Sequence, residues 1–302
     1  MYLAHFGFKS SPFSITPQTA SFFAGAQRGA LLDGLLYAVV HGEGIVKVSG
    51  EVGSGKTMLC RMLLERLPEH IQTVYLANPS VSREGLLLAI ADELQVEVQA
   101  NRMASLQRDL QQALIKRFAQ GQQVVVVIDE AHAMPKESLE EIRLLSNLET
   151  GAHKLLQIVL FGQPELDTLL AQQDMRQLRE RITHHFSLPL MTVQDIEPYL
   201  AFRAQAAGYV GAPLFSTAAA KLLARASHGL ARRVNILADK ALLACFAENA
   251  FVVDKCHAKA AIADAGFLLA KPRFSWMWGI VLWCLGCLLG GGSVYFFMGK
   301  GA

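Results

Sequence analysis

Gly50-Glu51-Val52-Gly53-Ser54-Gly55-Lys56-Thr57 fits the spacing GxxxxGK[ST] at every fixed position. It follows an apolar, β-rich run at 45–49 and precedes a pattern of apolar residues three or four apart, so strand, glycine loop and helix come in that order. Glycines let the backbone curl until its N–H groups and a helix N-terminus surround phosphate oxygens. Lys56 would neutralise charge on the β- and γ-phosphates, and Thr57 would ligate Mg²⁺. The stretch Gly50, Glu51, Val52, Gly53, Ser54, Gly55, Lys56, Thr57 and Met58 is therefore the candidate binding segment for ATP with Mg²⁺.

Downstream, Val124-Val125-Val126-Val127-Ile128-Asp129-Glu130 reads as a buried strand that delivers two carboxylates at its C-terminal end, where open parallel sheets bind ligands. Asp129 is the candidate second metal ligand, directly or through water, and Glu130 the candidate general base for the attacking water. Ala131-His132 completes the string DEAH. Helicases also use it, but nothing else in the chain resembles a helicase core, and His132 is assigned no catalytic role.

Around these motifs strands and helices alternate, which predicts an α/β fold: a P-loop parallel sheet flanked by helices. Strands are expected at 45–49, 73–77, 124–128, 156–161 and, more weakly, 185–188. Helices are expected at 31–40, 57–67, 83–94, 104–119 and 136–148. Beyond Pro189 the strand patterns cease, and helices are expected at 193–207, 217–226, 231–247 and 254–263, separated by Gly208, Gly211, Pro213 and Gly229. The expected organisation is an N-terminal extension at 1–30, a P-loop α/β ATPase domain at 31–190, a small helical lid at 191–266, a linker at 267–275 and one C-terminal transmembrane helix at 276–298.

The last of these rests on WMWGIVLWCLGCLLGGGSVYFFM, 23 residues without a charge, enough to cross roughly 30 Å of hydrocarbon at about 1.5 Å per residue. Trp276, Trp278 and Trp283 near one end and Tyr295 near the other suit the membrane interfaces. Lys255, Lys259, Lys271 and Arg273 precede the span and Lys300 follows it. The positive-inside rule then keeps the bulk of the chain in the cytoplasm, anchored by a single pass in the inner membrane. No secretory leader is expected at the N-terminus.

With 302 residues, 52% of them hydrophobic and 18% charged, the chain is neither disordered nor fibrous. A formal net charge of +2 argues against nucleic acid as the main partner. The five cysteines make no disulfide framework: Cys60, Cys245 and Cys256 are scattered, and Cys284 with Cys287 has CxxC spacing inside the apolar run, without a setting that stabilises thiolate.

The P-loop, the VVVVIDEAH strand, Phe161-Gly162-Gln163-Pro164-Glu165-Leu166, Leu178-Arg179-Glu180-Arg181-Ile182, and the opening Phe6-Gly7-Phe8 with Ser11-Pro12-Phe13 together resemble the ExeA/GspA-type AAA+ ATPases of bacterial secretion and pilus assembly. The resemblance covers roughly residues 5–265, and the layout is most similar to members serving mannose-sensitive-haemagglutinin (MSHA) pili. It implies that Gln163, at the end of the strand after the Asp-Glu strand, senses the γ-phosphate or orients water, although Asn or Thr is commoner there. It also implies an arginine finger offered to a neighbouring subunit, matched best by Arg181, with Arg179 and Arg176 as rivals. Gly229-Leu230-Ala231-Arg232-Arg233 resembles a GxPR sensor element with Ala231 in place of Pro, which makes Arg232 the matched residue. A trans-acting arginine in turn implies a homo-oligomer.

The expected function is a membrane-anchored ATPase that supports assembly of a type IV, MSHA-like pilus or of type II secretion-type envelope machinery, with inner-membrane assembly proteins as partners. Two rivals are a DNA-linked AAA+ regulator of the transposition target-selection type and a nucleotide-gated scaffold with little turnover.

Overall fold

The computed structural model describes residues 2–41, 44–96, 103–151 and 153–266. The expected linker at 267–275, the expected span at 276–298 and the Cys284/Cys287 pair lie outside the described residues. Among the described residues no helix is long and apolar enough to cross a membrane.

In chain order the elements are α1 (Tyr2–Phe6), α2 (Arg28–His41), β1 (Ile45–Ser49), α3 (Lys56–Arg66), β2 (Ile71–Leu76), α4 (Arg83–Glu93), α5 (Met103–Ala119), β3 (Gln123–Ile128), α6 (Lys136–Leu145), β4 (Glu149–Thr150), β5 (His153–Lys154), β6 (Leu156–Gly162), α7 (Pro164–Leu170), α8 (Arg176–Arg179), β7 (Ile182–Ser187), α9 (Val193–Ala206), α10 (Thr217–Ser227), α11 (Ala231–Ala247) and α12 (Lys255–Asp264). Short 3₁₀ turns sit at Thr19–Ser21, Ala131–Ala133 and Gln173–Met175. Residues 1–265 pack as one compact unit.

Five strands form a parallel sheet in the order β2-β3-β6-β1-β7, and β4 and β5 form a small antiparallel hairpin. Side chains alternate across the sheet because the strand period is two. Val124, Val126 and Ile128 of β3 and Leu156, Ile158 and Leu160 of β6 point to one face and pack with α4, α5 and α6 through Leu86, Ile90, Leu110, Leu139 and Ile142. Val125, Val127, Val159 and Phe161 point to the other face and meet Leu32, Leu35 and Val39 of α2 and Leu59 and Leu63 of α3. Strands buried on both faces have to read as continuous apolar runs, which is why β3 and β6 are so plain in the sequence.

Three differences from expectation have physical causes. The last strand begins at Ile182, three residues before the expected 185, because β7 is an edge strand whose residues are largely exposed; its polar Thr183 and His184 hide the apolar alternation. The expected helix at 136–148 stops at Leu145, and the chain turns into the β4/β5 hairpin, whose two-residue strands are too short to carry a period. Helices α7 and α8, of seven and four residues, lack the length for a readable apolar stripe.

β1 lies between β6 and β7, with β3 beyond β6. The C-terminal ends of β1, β3 and β6 therefore open side by side where the strand order reverses, the place at which such sheets hold ligands.

Candidate functional site

Beyond β1 the backbone turns through Gly53 (φ +77°) and Gly55 (φ +111°), a left-handed region that costs glycine least. At Gly53 space is limiting as well, because an added Cβ would lie 2.9 Å from Cβ of Arg232. The Arg232 backbone N–H donates to the Gly53 carbonyl at 3.0 Å, so the N-terminus of α11 rests on the loop. Lys56 is buried, and its Nζ donates to the carbonyls of Gly50 at 2.9 Å and Glu51 at 3.1 Å. Burial lowers the Lys56 pKa, against the opposing pull of Glu130, Asp129 and Glu51.

At the end of β3, Asp129 is 3% exposed. Burial raises its carboxyl pKa, while a hydrogen bond from the Glu130 N–H (2.9 Å) and another from the Thr57 side chain work the other way. A buried carboxylate short of positive charge beside a threonine hydroxyl makes a hard-oxygen donor pair, and this fits Mg²⁺. Glu130 adopts φ +53°, which turns the chain out of the strand and brings its carboxylate round to face β6. There Gln163 Nε2 donates to Glu130 Oε2 at 3.1 Å. Gln163 itself follows β6, which ends at Gly162, and caps α7 ahead of Pro164.

The opposite wall is built from the N-terminal segment and the helices after β7. Arg203 of α9, 6% exposed, donates through Nε to the Pro12 carbonyl at 2.8 Å and through Nη2 to the Ser14 carbonyl at 3.2 Å. Asn235 of α11 also donates to Ser14 O, at 3.4 Å, and accepts from Tyr199 Oη at 2.7 Å. Phe23 meets Tyr199 edge-on, with centroids 5.5 Å apart. From the α/β side Arg61 donates to Pro17 O at 2.8 Å, and Arg28 reaches Ser54 O at 3.2 Å and Pro189 O at 3.4 Å. Residues 12–17 are thus strapped across the mouth of the P-loop by side chains from both sides. The walls enclose a cavity of about 350 Å³, within the size range of sites for small ligands.

Val52, Gly53, Ser54, Gly55, Lys56, Thr57, Met58, Glu130, Gln163 and Arg232, widely separated in sequence, line this one cavity. Gly50 and Glu51 stand behind it as acceptors for Lys56, and Asp129 bonds to Thr57. Arg181 is not in the cavity wall. It is exposed just before β7, its carbonyl accepts the Ile45 N–H at 3.0 Å, and its guanidinium helps to lower the pKa of Glu149. Arg179 is exposed too, and Arg176 pairs with Glu180 at 2.8 Å.

Sequence reasoning missed Arg28, Tyr199, Arg203, Asn235 and the strap. One signal was present: Ile196, Tyr199, Leu200 and Arg203 share a helical face at spacings of three and four, so an arginine stands on the buried stripe of α9 where only a partnered charge is tolerated.

Residues 40–170 match the family model described as an AAA domain. The chain is 38% identical over 290 residues to the general secretion pathway protein A of Aeromonas hydrophila, an alignment that takes in 96% of this chain and 52% of that protein. The chain spans about half the length of this relative. Solved structures with a similar fold include the Aeropyrum pernix ORC2 protein in ADPNP-ADP complexes (TM-score 0.62, 17% identity, 85% of this chain and 72% of that one). The Aeropyrum pernix ORC1 protein in complex with DNA (TM-score 0.63, 18% identity, 85% and 70%) and the Thermotoga maritima RuvB Holliday junction branch migration motor (TM-score 0.55, 18% identity, 82% and 73%) are others. At those identities the likeness is one of fold. The chain is thus similar over most of its length to a general secretion pathway protein A, with a match to an AAA-domain model at 40–170.

Proposed function

We propose that the chain is an ATP hydrolase that works as a homo-oligomer at the bacterial inner membrane, in assembly of a secretion-type or type IV pilus machine. The observation that carries this reading is the single cavity in which the P-loop, Glu130, Gln163 and the N-terminus of α11 converge. ATP phosphates would lie along the loop, where incoming oxygens draw Lys56 Nζ from the Gly50 and Glu51 carbonyls. Thr57 and Asp129 would hold Mg²⁺, which would supply charge neutralisation at the phosphates. Glu130 takes the proton of the attacking water, and Gln163 orients that water or contacts the γ-phosphate. Arg232, at the contact between α11 and Gly53, passes occupancy of the loop to the helices that follow.

An exposed arginine outside its own cavity suits action on a neighbour, and Arg181 is the residue we assign to that role. The uncharged run at 276–298 is the proposed anchor, in a single pass that leaves the bulk of the chain in the cytoplasm. The relative named for general secretion supports an envelope-assembly role, and on the resemblance of sequence layout an MSHA-like pilus is the system we favour.

The test is steady-state hydrolysis by the full chain in detergent across protein concentration, with Arg181→Ala alongside and duplex DNA in a parallel series. Turnover should rise with concentration, fall by about 10³ in Arg181→Ala and ignore DNA. Strong stimulation by DNA would move the protein to a nucleic-acid role, and wild-type turnover in Arg181→Ala, still rising with concentration, would remove the trans arginine.

A further inference from the structure

The hydrolytic reading leaves His132 unused, yet its ring lies between the two groups that reading depends on. His132 belongs to the 3₁₀ turn Ala131–Ala133. That turn is pinned at one end by the buried Ala131 and closed by Ala133 N–H to Glu130 O (2.9 Å) and Met134 N–H to Ala131 O (3.2 Å). The left-handed φ of Glu130 bends the chain immediately before the turn, so the side chains of 130 and 132 meet on one side.

The tautomer of the neutral ring follows from its neighbours. Nδ1 accepts the Gln163 backbone N–H at 3.4 Å and must carry a lone pair. A neutral imidazole has one N–H, so the proton sits on Nε2, which lies 3.4 Å from Glu130 Oε2. The same carboxylate oxygen accepts from the Gln163 side chain at 3.1 Å. Backbone of 163, imidazole of 132, carboxylate of 130 and amide of 163 thus lie in a closed circuit of contacts that ties the end of β3 to the end of β6. One oxygen of Glu130 accepts from Gln163 and lies against the His132 ring.

We infer that His132 is a positioning residue: it fixes the Glu130 carboxylate relative to Gln163, with Oε2 engaged and Oε1 presented to the water that Glu130 deprotonates. This rests on the ATP-hydrolysing reading above. His132 is outside the cavity wall, and its contribution is to hold Glu130 in one orientation. Both of its contacts are long, so the effect is modest beside that of Glu130 itself.

Substitutions separate its two contacts. In His132→Asn the amide oxygen falls near the place of Nδ1 and keeps only the acceptor for Gln163 N–H. In His132→Gln the amide nitrogen reaches the place of Nε2 and keeps only the donor to Glu130. With full-length protein, His132→Ala should lower kcat for ATP about tenfold, near the lower end of what outer partners of a reactive group are worth, with KM unchanged within about twofold. His132→Gln should recover most of kcat and His132→Asn little of it. An unchanged kcat in His132→Ala, or no recovery in His132→Gln, would overturn the assignment. A second arm needs no turnover: ¹⁵N-histidine NMR of the full chain in micelles, with His132 assigned through His132→Gln, should show the Nε2–H tautomer. An Nδ1–H tautomer would overturn the circuit whatever the kinetics. Absence of hydrolysis by the wild-type protein, with the Nε2–H tautomer in place, would instead remove the hydrolytic reading and with it the catalytic purpose of a confirmed contact.

Discussion

The two walls of the cavity are made in opposite ways. On the strand side, the loop residues 50–58 and the pair Asp129 and Glu130 are short contiguous motifs, each delivered by the end of one strand. On the strap side every tie is long-range: Arg203 to Pro12 spans 191 residues, Asn235 to Ser14 spans 221, and Arg61 to Pro17 spans 44. The chemistry of phosphate and metal needs particular atoms at fixed spacing, and a contiguous motif supplies them. Enclosing the rest of a ligand needs only that a backbone be held in place, which many sequences can do through side chain to carbonyl bonds. The strand wall should therefore govern binding and turnover, and the strap wall affinity and stability.

Removing the ammonium from the strand wall tests that division most severely. Lys56→Ala should abolish measurable ATP binding in calorimetry, because no other cationic side chain of the loop faces its carbonyls at Gly50 and Glu51. Tight ATP binding by this variant would move the phosphate site elsewhere. Glu130→Gln should keep ATP bound and lose turnover by about 10² or more, the size expected for a general base; full turnover would hand the base role to another group.

How much was legible follows the same line. β3 and β6, buried on both faces, could be read as continuous apolar runs, and the P-loop came with its strand and helix in order. The polar edge strand β7, the two-residue β4 and β5 and the short α7 and α8 carry too little pattern. The strap had no periodicity to offer, since residues 12–17 hold neither helix nor strand and take their position from Arg61, Arg203 and Asn235. Arg203 was the one informative residue, a charge on the buried stripe of α9. His132 was visible as the last letter of DEAH, but its two contacts depend on β3 lying beside β6 in the sheet, which spacing along the chain does not encode.

The strap gives the intermediate prediction. Arg203→Ala leaves the carbonyl of buried Pro12 without its guanidinium donor and that of Ser14 with Asn235 alone, at a cost of about 2–3 kcal/mol. Chemical denaturation should show the loss. ATP affinity should weaken by roughly tenfold, the equivalent of about 1.4 kcal/mol, while kcat at saturating ATP stays near wild type. A fall in kcat as large as that of Glu130→Gln would mean the two walls do not divide the work in this way.

The smallest expected effect concerns a buried charge on the strand wall that works against stability. Burial raises the Asp129 pKa above its unfolded value, so the folded protein binds that proton more tightly than the unfolded chain does. Its contribution is favourable while the carboxyl is protonated, below the unfolded value of about 3.9, and is lost as pH rises through the folded pKa. At neutral pH the buried charge is a net cost, offset in part by the Glu130 N–H and the Thr57 side chain. Asp129→Asn keeps the shape and removes the charge. Without nucleotide, its denaturation midpoint at pH 7.5 should exceed that of the wild-type protein, and the advantage should shrink as pH falls toward about 4. Excess Mg²⁺ with ATP should reverse the order, since only the wild-type carboxylate gains from the cation. An Asn variant less stable at pH 7.5, or an advantage independent of pH, would show that the carboxylate is already compensated in the fold and that the strand wall holds no charge waiting for a metal.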